Sequence, residues 1–127
     1  MAWTYQQVTG RLLDDLCNII GVGYSGRSPD GKNDPVMQSV PNVGPIPCGD
    51  YTIEPPVDTV THGPFVLALT PSPKNEMWGR SGFLMHGDSV IAPGTASLGC
   101  IIQSRDVREA VWDSNDHLLT VVSGEPT

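Results

Sequence analysis

Glycine and proline recur so closely along this chain that few gaps between them could hold a helix of ordinary length. There are 14 glycines and 12 prolines in 127 residues. Glycine is costly inside regular elements and proline cannot continue a helix. Short strands joined by tight turns fit this punctuation, so the expected class is a mainly β protein. The length is that of one domain, 1–127, with no internal boundary, repeat or low-complexity tract, and it suffices for a single hydrophobic core.

Alternation in Trp3–Gln7 predicts an edge strand. The "TG" at 9–10 turns it into Arg11–Asp14, and "DLCN" turns again into Ile19–Tyr24, a meander of two hairpins. Residues 25–48 carry five prolines and predict a long ordered loop with one helical turn at "DPVMQ". Further strands are predicted at Gly49–Glu54, Pro64–Thr70, Gly82–His86, Gly99–Ile102 and His117–Val122. Ser104 is placed to N-cap a helix whose Val107, Ala110, Val111 and Ser114 share one face.

A net charge of −7 leaves no basic patch to neutralise phosphates, which argues against nucleic acid as a partner. No apolar run approaches the roughly 20 residues of a membrane span. The opening "MAWTYQQVTGRLLDD" lacks the basic and apolar regions of an export signal. Three cysteines, at 17, 48 and 100, are an odd number without a C-x-x-C pair. They suggest neither a closed disulfide framework nor a structural zinc site, and no metal or cofactor is expected.

Two motif-like strings carry little. "GVGYSG" at 21–26 satisfies G-x-G-x-x-G, but "RSPDGKNDP" follows and cannot supply the helix N-terminus that a pyrophosphate needs. It reads as a hairpin and loop. "GDS" at 87–89 resembles an esterase serine motif, yet Ser114 stands three before His117, where that chemistry needs aspartate.

His86 and Cys100 have chemical logic. They lie 14 positions apart, at the ends of neighbouring apolar runs in "FLMHGDSVIAPGTASLGCII". A cysteine attacks as thiolate, and an unperturbed thiol is only a few per cent ionised at neutral pH. A histidine within hydrogen-bond reach, about 4 Å, takes the proton and can return it to a leaving amine. Gly99 removes bulk beside the sulfur, and the N–H groups of Gly99 and Cys100 are candidate oxyanion donors. A buried core cysteine is the alternative. His62, in a turn, and His117, after a helix end, read as structural. Cys17 falls in a hairpin turn and Cys48 at a strand mouth, neither near a histidine in sequence.

The pair sits within a wider resemblance. "HG" at 86–87 followed by "SLGC" at 97–100, with Pro47, Gly49, Tyr51 and Ile53 of "IPCGDYTI" upstream, resembles the L,D-transpeptidase (YkuD-type) catalytic domain. "GYSG", "VPNVGPIP", "GRSGFLMHGDS" and "ASLGCII", in that order, resemble the small type VI secretion toxins of the Tlde1 group. Leu98 and Ile102 stand where many YkuD enzymes have histidine and arginine or asparagine, and the His-to-Cys loop is a few residues shorter.

The resemblance implies a YkuD-like β-sandwich with one short helix after the cysteine. It makes Cys100 the nucleophile and His86 the base, with Asp88 or the Gly87 carbonyl orienting the imidazole. Ser97 and Gly99 would shape the loop that presents the cysteine. From their place in the loop before the His86 strand, Arg80 and Trp78 are candidates for substrate contact, Arg80 by gripping a carboxylate of a meso-diaminopimelate stem, with a solvated surface arginine as the alternative. The implied activity is L,D-carboxypeptidase or L,D-transpeptidase action on tetrapeptide stems, expelling D-Ala through a thioester. The implied setting is an antibacterial effector made in the cytoplasm, delivered by type VI secretion into a rival's periplasm and matched by an immunity protein. The competing readings are a cysteine amidase and a non-catalytic wall-binding or phage-structural module.

Overall fold

The computed structural model describes residues 2–124. Its elements run β1 (Trp3–Gln6), β2 (Arg11–Leu13), β3 (Ile19–Val22), β4 (Tyr24–Ser25), a 3-10 turn (Pro35–Met37), β5 (Gly49–Ile53), β6 (Val57–Thr59), β7 (Gly63–Pro71), β8 (Leu84–His86), β9 (Ile101–Ile102), α1 (Arg105–Asp113) and β10 (Leu118–Val122). Among the described residues the protein is mainly β with a single α-helix. The strands form one mixed ladder, ordered β3-β2-β1-β10-β5-β7-β8-β9-β4, with β6 paired to β7.

β7, nine residues long, joins the two halves. Its end pairs antiparallel with β5 through Leu69–Pro71, and its middle pairs with β8 through Leu67 and Ala68. Tyr5, Leu12, Tyr51 and Leu119 from one half meet Met85 and Ile101 from the other, with Val111 of α1, in one core. At roughly 1.5–3 kcal/mol for each large apolar side chain buried, that shared core holds the halves together. Two pairings are parallel, β1 with β10 and β8 with β9.

The first three strands form the expected meander, but β1 is not an edge. It lies between β2 and β10, because the chain's last strand closes onto it from 116 residues away (Trp3 beside Leu119). The expected Ile19–Tyr24 strand divides at Gly23, where a Cβ would lie 1.6 Å from the Ile102 carbonyl oxygen. β3 ends there on β2, and β4 begins on β9. β8 starts at Leu84 rather than Gly82, whose φ is +78°. Gly99 and Cys100 lie outside β9, Gly99 with φ +145°. β6 was not expected: two of its three residues are exposed, so no alternation marks it.

Ser104 caps α1 as expected, its hydroxyl accepting the Val107 N–H. The buried face carries Arg108 and Val111 while Ala110 and Ser114 are exposed. The Arg108 guanidinium is drawn inward to donate to the carbonyls of Pro64, Phe65 and Gln103. Among the described residues no helix is long and apolar enough to cross a membrane.

Candidate active site

β8 and β9 run in parallel, Met85 beside Ile101 and His86 beside Ile102. This register brings the end of one apolar run next to the residue that precedes the other. Cys100 and His86 both line a cavity of about 430 Å³, with Arg80, Phe83, Leu98 and His62 among its walls.

His86 is buried, and its Nδ1 lies 2.8 Å from the Gly87 carbonyl oxygen. A carbonyl only accepts, so Nδ1 carries the proton and Nε2 is the basic nitrogen. Burial pulls the His86 pKa below its ordinary 6.5, against the opposing pull of the Gly87 carbonyl. The imidazole is therefore neutral at neutral pH. Burial also pushes the Cys100 thiol above its ordinary 9.0, while the Leu84 N–H and the Arg80 charge oppose the rise. The Leu84 N–H donates to Cys100 Sγ at 3.3 Å. Among the described residues the sulfur and the His86 ring make no direct hydrogen bond, so the resting pair is a neutral thiol and a neutral base sharing one cavity.

The loop that carries Cys100 is tied at several points. The Ser97 hydroxyl donates to the Cys100 carbonyl (2.6 Å) and accepts from the N–H groups of Gly26 (2.9 Å) and Gly99 (3.0 Å). The Ser25 hydroxyl donates to the Gly99 carbonyl (2.7 Å) and accepts from Ile46 N–H (2.9 Å). "GYSG" thus acts as a brace for the cysteine loop, a role the hairpin-and-loop reading of "GVGYSG" did not assign. Gly99 lines the cavity, and packing around it also leaves no room for a side chain. A Cβ there would sit 2.6 Å from an Arg80 guanidinium nitrogen and 2.9 Å from the Phe83 ring. Its N–H is engaged by Ser97, so of the two expected oxyanion donors the Cys100 N–H remains.

Asp88 does not hold the imidazole by a hydrogen bond. Its carboxylate accepts from the Tyr24 hydroxyl and from the N–H groups of Ser89 and Gly94. The Tyr24 hydroxyl accepts in turn from Ala96 N–H. Asp88 orders the loop between His86 and Cys100, and the Gly87 carbonyl is the group bonded to His86.

Arg80 is also reassigned. Its guanidinium is buried and donates to the carbonyls of Gln38, Gly44, Pro45 and Leu98. These bonds occupy the fork that a carboxylate would need. Arg80 clamps the long proline-rich loop to the cysteine loop and brings its charge close to Cys100. Trp78, exposed with φ +51°, is not among the residues lining the cavity.

His62 was read as structural, yet it lines the cavity and its ring centroid lies 4.7 Å from that of His86. Only the β6–β7 hairpin brings it there, and the sequence carries no strong signal for β6. His117 stacks on Trp112 at 3.9 Å, a packing role. Cys48 Sγ donates to Gln7 Oε1, and Cys17 is exposed in its turn with φ +65°. Among the described residues no group of three or more His, Cys, Asp or Glu is arranged to hold a metal ion.

The sequence model of the Tlde1 domain matches residues 21–123, which include every residue of this site. No curated protein matches the chain. No solved structure matches it. The match covers most of the chain and shows that this protein belongs to the Tlde1 domain family of type VI secretion effectors, enzymatic proteins with peptidoglycan-related activity.

Proposed function

We propose that this protein is a cysteine L,D-carboxypeptidase and L,D-transpeptidase acting on the tetrapeptide stems of peptidoglycan. The observation that carries the proposal is one cavity lined by a thiol and by an imidazole whose Nδ1 is bonded to the Gly87 carbonyl. On substrate entry His86 Nε2 closes on Cys100 and takes its proton as the sulfur attacks the carbonyl at the L-centre of meso-diaminopimelate. The new C–S bond leaves negative charge on the carbonyl oxygen, facing the Cys100 N–H. Collapse breaks the C–N bond to D-Ala, His86 returns the proton to the departing amine, and a thioester remains. Water, a D-amino acid or a neighbouring stem then attacks the thioester. His86 takes the attacker's proton and passes it back to the sulfur.

Tetrapeptide muropeptides incubated with the protein should lose the mass of one alanine. With a labelled D-amino acid present, they should gain that label instead. Separation of sugar from peptide would mean an amidase, and unchanged masses a binding module. The proposal places the action in the periplasm of a target cell, with an immunity protein there in the producer's kin. The chain expressed in the bacterial cytoplasm should then be nearly harmless, and the same chain fused to an export signal should cause swelling or lysis. Equal toxicity from both forms would point to an intracellular target and end this reading.

A further inference from the structure

Two histidines line the cavity of Cys100, and the proposed chemistry uses one of them. His62 occupies the tight turn between β6 and β7. Its N–H donates to Thr59 Oγ1 at 2.8 Å, and its Nδ1 lies 3.0 Å from Thr61 Oγ1. The first bond fixes the backbone of the turn and the second engages the exposed ring, which is tilted 49° to that of His86 with the centroids 4.7 Å apart. The pair stands where two cavities meet. One is the 430 Å³ cavity of Cys100, and the other, of about 600 Å³, is bounded by Gly87, Asp88, Ser89 and Arg108.

We propose that His62 is a positioning residue for this reaction, packed on the His86 ring so that it holds the plane of the base and sets the pH at which that base is competent. The proposal rests on the assignment of His86 as the general base.

The surrounding charges support it. The other ionisable groups around the two rings are Asp88 from the loop after β8, Arg108 from α1, and Arg80 and Cys100 across the first cavity. Asp58 of β6 is engaged by the Phe65 N–H. Arg108 and Arg80 are fixed cations committed to backbone carbonyls, and Asp88 is held ionised by its N–H and hydroxyl donors. Imidazole is the side chain that changes charge between pH 5 and 8. Burial is the main cause of the lowered His86 pKa, and a positive charge on His62, 4.7 Å away between ring centroids, opposes a second one on His86 and acts in the same direction.

The sign of the test follows. Removing the charge should raise the pH at which His86 loses its proton. NMR titration of the His86 Cε1–H in His62→Phe, which keeps a ring, and in His62→Gln, which keeps polarity, should show a midpoint higher by about half a pH unit in both. The acid limb of kcat/KM should move upward by the same amount. A midpoint unmoved in both variants would overturn the proposal. The titration needs no substrate, so a protein inert towards muropeptides would defeat the proposed activity while a shifted midpoint still supported the role of His62.

Discussion

Cys100→Ala is expected to bring alanine release from tetrapeptide stems down to background, a fall of about 10⁴-fold or more, with the fold retained. Only the thiol is lost, and its one hydrogen bond is accepted from the Leu84 N–H. His86→Ala should fall by a similar factor, and the double variant should be no worse than either single one, because thiol and base act as one unit. The pH dependence follows from the two shifts. His86 is pulled below 6.5, so the acid limb of kcat/KM lies below that value. Cys100 is pushed above 9.0, so alkylation of the thiol by iodoacetamide in His86→Ala should be slow at pH 7 and climb as pH rises past 9. Full turnover by Cys100→Ala, measured by mass spectrometry of the muropeptides, would end the cysteine mechanism.

The second large effect concerns stability. Arg80→Met should lower stability by about 3 kcal/mol or more, since each buried carbonyl left without a donor costs roughly 1–3 kcal/mol. Four carbonyls lose their donor at once, those of Gln38, Gly44, Pro45 and Leu98. For a domain of this size the melting midpoint should drop by roughly 10 °C. Arg80→Lys should recover little of it, because a single ammonium cannot span carbonyls arranged for a planar fork. A calorimetric midpoint within 2 °C of the wild type (about the scale of a surface substitution) would show that the clamp contributes little. If Arg80 instead gripped substrate carboxylates, Arg80→Lys would raise KM and leave the midpoint alone.

Much of the fold was legible because local signals agreed with the tertiary outcome. The meander, the 3-10 turn at Pro35–Met37 and the Ser104 cap each rest on residues whose turn or cap chemistry acts within a few positions. The expected strand Gly49–Glu54 forms as β5. In the structure the Tyr51 hydroxyl bonds the Pro47 carbonyl at 2.7 Å and Ile53 is buried in the core. Cys100 and His86 stand out by their chemistry together with the family resemblance, and both line one cavity.

By itself, then, the sequence determined the class, most of the strand sequence and the helix cap, all short-range properties of residue type and spacing. The tertiary structure alone decided partners and burial. Arg80, read as a surface hand for substrate, is a buried clamp because carbonyls from two distant loops converge on it. Asp88 looked like a triad member beside His86, but the Tyr24 hydroxyl, 64 positions away, takes it for the loop. His62 reaches the site through a hairpin whose first strand has no buried face and therefore no periodic signature. The physical reason is common to all three: a polar side chain's role is set by which groups desolvate it and bond to it, and those groups come from segments that only the folded chain brings together.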